Sequence, residues 1–190
     1  MAKAIKIDSS DLDRVSQGDI FRNVEFIEYV IEKDGNIEVS KIQFPLVLVL
    51  SQDCDLNQDH FFRNCEPPKP NQDKRLMSVL VAPIYNLEHF LKGEHLSEIK
   101  LPMQNFKAGG SKTKIDLITK NEIPRYHHLI FPKAIKLVDS IIDFKHYFSV
   151  NVKYITELKN DSFVGKIDKL YREDISHRFS SFLARIGLPE

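Results

Sequence analysis

At 190 residues, with 42% apolar and 28% charged residues, the chain has a globular composition that excludes a largely disordered protein. Its 27 Lys and Arg balance 27 Asp and Glu, which removes the simple charge argument for a nucleic-acid-binding protein. Two cysteines, Cys54 and Cys65, are too few for a disulfide framework, and the longest apolar run, residues 44–50, is far short of the roughly 18 residues that read as a membrane span.

A single domain over residues 1–190 is expected, and a cytoplasmic protein, because the N-terminus has no apolar signal core. Charge is unevenly spread. Residues 1–60 hold 6 basic against 12 acidic side chains, residues 61–130 hold 11 against 7, and residues 131–190 hold 10 against 8.

In chain order, Gly18-Asp19 reads as a turn that opens a strand, and residues 20–31 alternate partly. Asp34-Gly35-Asn36 supplies hairpin chemistry before a second strand. That strand ends in Phe44-Pro45-Leu46-Val47-Leu48-Val49-Leu50-Ser51-Gln52-Asp53-Cys54-Asp55, an apolar run that stops at a polar cluster. It predicts a strand covered on both faces, with Ser51 to Asp55 as a turn at its mouth. Residues 57–74 carry Pro67, Pro68 and Pro70 and read as a loop.

Residues 77–85 predict a second buried strand, and residues 86–93 a short amphipathic helix. Lys107 to Lys114 reads as a basic glycine turn, without the spacing of a phosphate-binding P-loop. Residues 134–143 and 147–155 read as two more strands. Apolar residues at Ile175, Phe179, Phe182, Leu183 and Ile186 predict a helix over residues 173–188, ending near Gly187 and Pro189. The expected class is α+β, mainly β: a small barrel core over about residues 17–155 with a C-terminal amphipathic helix in an appendage from 157 to 190.

Gly18-Asp19-Ile20, Pro45 to Ser51 and Val79-Leu80-Val81-Ala82-Pro83-Ile84 together resemble the MazF/PemK-type toxins over residues 17–90. The resemblance implies an SH3-like barrel, a homodimer, an antitoxin-like protein partner and metal-free cleavage of single-stranded RNA in a bacterial toxin–antitoxin or defence system. In those toxins an Arg commonly precedes the Pro of the central strand, and a Thr or Ser lies near the end of the next. Phe44 and Tyr85 stand there in this chain, so the toxin mechanism does not transfer as it is.

Several constellations compete for chemistry. Arg125, His127 and His128 would supply acid and base for RNA cleavage. Cys54 with His127 or His128, and Asp53 or Asp55 as orienter, has the residue types of a thiol hydrolase, although two flanking carboxylates disfavour a thiolate. Ser51 belongs to the same cluster. Cys54, His60 and Cys65 with a histidine match zinc ligands by type and not by spacing, and Asp53, Asp55 and Asp59 would suit Mg²⁺. Neither pattern is specific, and no metal or cofactor is expected. Lys107, Lys112, Lys114 and Lys120 would contact nucleic-acid phosphates while Tyr126 stacks a base. The alternative is a noncatalytic protein-interaction module using Phe179, Phe182 and Arg185.

Overall fold

The computed structural model describes residues 4–10, 13–108 and 112–185. Among them are eight strands and five helices: β1 (Ile7–Asp8), β2 (Asp19–Lys33), β3 (Asn36–Val49), α1 (Asp53–Asn64), β4 (Ser78–Asn86), α2 (Leu87–Lys92), α3 (Lys112–Thr119), β5 (Tyr126–Leu129), β6 (Ser140–Asp143), β7 (Phe148–Asn151), α4 (Val152–Asp161), β8 (Phe163–Ile167) and α5 (Lys169–Leu183). The fold is mixed, mainly strands in a curled antiparallel half-barrel. Strand order is β1-β8-β2-β3-β4-β6-β5, with β7 also on β4. The Ile5 amide donates to the Ile130 carbonyl at 2.9 Å, bringing the two margins of the curl together.

Local chemistry accounts for the main hairpin. Asp34 and Gly35 both have positive φ, 52° and 77°, as a two-residue primed turn requires. β2 and β3 then pair from Lys33 opposite Asn36 to Ile20 opposite Leu48. Alternation breaks at Asn23, whose φ is 55°, so that Phe21 and Val24 both face one core. On the partner strand Phe44 and Val47 do the same around Pro45.

The central strands separate two apolar clusters. Val47 and Val49 of β3 with Val79 and Val81 of β4 face one cluster, which α1, α2, α3 and α4 help cover. Leu48 and Leu50 with Ala82 and Ile84 face the other, where α5 adds Ile175, Phe179 and Phe182. The expectation of a strand buried on both sides therefore holds for β3. Short β4 to α2 punctuation also follows the sequence: Asn86 accepts from the Glu88 and His89 amides, and Gly93 at φ 77° ends the helix.

Six expectations need correction. Ser51 to Asp55 is no simple turn and residues 57–74 are not all loop, because α1 occupies Asp53–Asn64; its polar sequence buries only Leu56 and Asp59, leaving little helical period to read. The strand expected over 147–155 stops at Asn151, whose side chain accepts from the Lys153 amide and starts α4. Only Ser140–Asp143 of the 134–143 segment is strand. Lys112 and Lys114 lie on α3, whereas residues 109–111 fall outside the described residues. The last helix begins at Lys169, capped by Asp168, and ends at Leu183; the expected Gly187 and Pro189 ending lies outside the described residues.

Candidate functional site

Each candidate from the sequence has a definite place. The Ser51 hydroxyl accepts from the Leu80 amide at 2.8 Å, tying the end of β3 to β4. Asp53 accepts two Arg14 bonds at 3.2 and 3.1 Å and one from the Gln17 amide, and Arg172 lies 3.6 Å away. Burial pushes the Asp53 carboxyl up, but Arg14 and Arg172 outweigh it and leave the pKa below its usual value. Asp53 thus clamps α1 to the entry of β2 and to α5. Cys54 is exposed, its Sγ 3.6 Å from Gln52 Oε1 and 3.6 Å from Asp55 Oδ1.

His127 is 4% exposed, packs against Phe144, and has a pKa pushed down to about 3 by burial and then by Arg178 and His128. His128 donates its amide to Asn121, and its Nδ1 lies 3.0 Å from the Thr119 carbonyl. Neither histidine bonds to residues 51–55. The two groups border separate cavities, one lined by Ser51 and Asp55 and another by His127 and His128, so the thiol–imidazole constellation is not assembled. Among the described residues no three His, Cys, Asp or Glu side chains are grouped to hold a metal ion. Cys65 instead points at the Phe62 carbonyl, and His60 lies beside Asn64.

The nucleic-acid candidates also separate. Lys107 pairs with Glu88, Lys114 lies 5.1 Å from the Phe106 ring centre, and Lys112 and Lys120 are exposed at the two ends of α3. Tyr126 is buried against Phe90 and Phe106 and presents no free ring to a base. Phe179 and Phe182 correct the interaction-surface expectation: both are buried, 5.5 and 6.1 Å from the Phe144 ring centre. Arg185 covers Phe182, its guanidinium 3.8 Å from that ring centre.

What the fold does assemble lies elsewhere. β3 and β4 pair only at Val47 to Val49, then diverge as β4 turns to pair with β6 through residues 84–86. Pro45 and Pro83 at the point of divergence lack the N–H needed to continue a ladder. The opening is a cleft of about 410 Å³ between Phe44-Pro45-Leu46 and Ile84-Tyr85-Asn86, with His95, Glu94 and Glu98 on its wall. The Tyr85 hydroxyl lies 3.0 Å from His146 Nδ1, and His146 Nε2 lies 3.8 Å from the buried Asp143 carboxylate, which Arg125 grips through two nitrogens.

The His95 ring meets Tyr85 edge to face, ring centres 4.7 Å apart, with both ring nitrogens buried and without a hydrogen-bond partner. Burial, reinforced by His146, lowers His95 to about 4; burial also lowers His146, and burial with Asp143 raises Tyr85. Both imidazoles are therefore neutral at pH 7. His95 and His146 carry no motif in the sequence.

Beyond the cleft the hairpin continues as an arm. Ile27 (57% exposed), Val30 (57%), Ile37 (73%) and Val39 (53%) share one face, since Val30 opposes Val39, Glu32 opposes Ile37 and Ile27 opposes Lys41. Tyr29 and Ile31 expose the other face. No helix among the described residues is long and apolar enough to cross a membrane. Comparison with protein-family models finds no match, and comparison with curated proteins finds none.

Proposed function

We propose that this chain is a protein-interaction module on an SH3-like, MazF/PemK-type barrel, working in the cytoplasm within a bacterial toxin–antitoxin or defence system. The observation that carries the reading is the arm. Six large apolar side chains at Ile27, Tyr29, Val30, Ile31, Ile37 and Val39 are 44–73% exposed on a two-stranded ribbon. Scattered exposed apolar residues are ordinary, but four on one face of the ribbon, Ile27, Val30, Ile37 and Val39, with Tyr29 and Ile31 on the other, mark a contact surface or an aggregation hazard. An Ile37→Asp/Val39→Asp variant tests it. The variant should keep its fold and stay soluble while losing the proteins that wild type retains on affinity capture; unchanged capture refutes the reading.

One observation favours a second reading, RNA cleavage. The cleft lies between Phe44 and Tyr85, the two positions that the toxin resemblance matches to catalytic residues. In that chemistry neutral His95 takes the proton of a ribose 2′-hydroxyl, which attacks phosphorus, and Tyr85, bonded to His146, protonates the leaving 5′ oxygen. Glu94 and Glu98 on the cleft wall repel phosphate, His95 keeps both ring nitrogens buried and is a weak base with a pKa of about 4, and a Tyr85 hydroxyl raised above its usual pKa is a weak acid, so this reading ranks second. Cleavage of single-stranded RNA by wild type, abolished in both Tyr85→Phe and His146→Asn, would put it first.

A further inference from the structure

The outer edge of β3 is open. From Asn36 to Leu46 the strand pairs with β2 alone, and β4 joins it only at Val47 to Val49. Such an edge presents backbone donors and acceptors to any strand that comes alongside. Here it runs from the apolar arm into the cleft of about 410 Å³.

Charge selects the occupant. Residues 25–41 carry Glu25, Glu28, Glu32, Asp34 and Glu38 against Lys33 and Lys41, and Lys41 and Glu25 pair with each other. Glu94 and Glu98 extend the acidic character onto the cleft wall. Residues 25–41 are thus net acidic, although the charged side chains on β3 itself between 36 and 46 are Glu38 and Lys41; two net-acidic ribbons repel, whereas a segment bearing Lys or Arg between apolar residues is attracted to the ribbon and to the cleft wall.

We infer that the open edge of β3 takes an extended, basic and apolar segment of a partner protein as an added antiparallel or parallel strand, whose alternate side chains enter the cleft and cover the arm. The inference deepens the protein-interaction reading and rests on it. Main-chain pairing supplies affinity in this mode and side-chain pockets supply specificity.

Three acetylated nonapeptides test it on the full chain: alternating Lys and Val, alternating Glu and Val, and the Lys–Val peptide with its edge-facing amides N-methylated. Expected is binding of the Lys–Val peptide that weakens with salt, with slowed hydrogen exchange at β3 amides between residues 37 and 46. N-methylation or the Glu–Val sequence should weaken binding at least tenfold, and Glu38→Lys should weaken Lys–Val binding several-fold. Equal binding of both charge types, protection confined to another part of the sheet, or no binding overturns the inference. Capture by wild type and not by Ile37→Asp/Val39→Asp would, in that event, leave the interaction reading standing. If the captured protein is a second copy of this chain, the basic-segment assignment is overturned and the arm remains a contact surface. Loss of both results removes both.

Discussion

Replacing Lys159 by Met probes the buried ion pair that fixes the start of β2. Asp19 and Lys159 are 0% and 3% exposed, and Asp19 Oδ2 accepts from Lys159 Nζ at 2.7 Å and from the Ser16 amide at 2.8 Å. Asp19 Oδ1 has no partner, and Lys159 Nζ also lies 3.6 Å from the Phe163 ring centre. Burial raises Asp19 from 3.8 to about 6 against the pull of Lys159, a difference of about 3 kcal/mol between its two protonation states.

A folded-state pKa above the unfolded value gives stability that is fully present below pH 3.8 and lost as pH rises through about 6. Lys159→Met leaves the carboxylate buried without its cation, which should cost roughly 3–5 kcal/mol at pH 8. At pH 5 Asp19 is largely protonated in the folded state and the cost should shrink clearly. Urea unfolding followed by circular dichroism at both pH values measures the difference, and the double variant Asp19→Asn/Lys159→Met should recover most of the loss. A cost below about 1 kcal/mol at pH 8 would refute the reasoning, as would an equal cost at pH 5.

His127 titrates in the opposite sense. Its folded pKa of about 3 lies below the reference 6.5, so its contribution is present above pH 6.5 and is lost as pH falls toward 3. Comparing His127→Leu with wild type by urea unfolding, the balance should shift by about 2–3 kcal/mol toward the variant from pH 7 to pH 4.5. Phe182→Ala should cost about 3–5 kcal/mol, because the ring is 6% exposed and packs with Phe144 beneath α5; a loss under about 1 kcal/mol would show that the helix contributes little to the core. By contrast, Ile37→Asp/Val39→Asp should change unfolding free energy by only about 1 kcal/mol or less, since both side chains are already in water.

Legibility from sequence followed how much of the relevant physics was local. The Asp34-Gly35 turn, the buried run of β3 and the Asn86 to Gly93 helix carry their own signals, and each occurs where those signals place it. α1 was hidden because only one apolar residue, Leu56, turns inward from a polar helix. Ile37 and Val39 have the composition of a buried strand, and nothing in the alternation tells that their side chains stay 73% and 53% exposed. The divergence of β4 from β3 after Pro83, which creates the cleft, is equally silent in the sequence. Tyr85, His95 and His146 are 10 and 51 residues apart along the chain, so only tertiary structure brings them together. Conversely, Phe179 and Phe182 form an apolar stripe whose helix, and whose docking on the strands, are foreseeable from its spacing; that Phe144 is the ring it meets is not.

Photo-crosslinking tests the central claim most directly. A benzoylphenylalanine placed at Val39 on the arm, and separately at Leu170, which is 75% exposed on α5, would be irradiated in cells producing the full chain. The arm reading predicts a discrete adduct with another protein from position 39 and none from position 170. Absence of an adduct at 39, or one identical adduct from both positions, would contradict the claim that the arm is where this protein meets its partner.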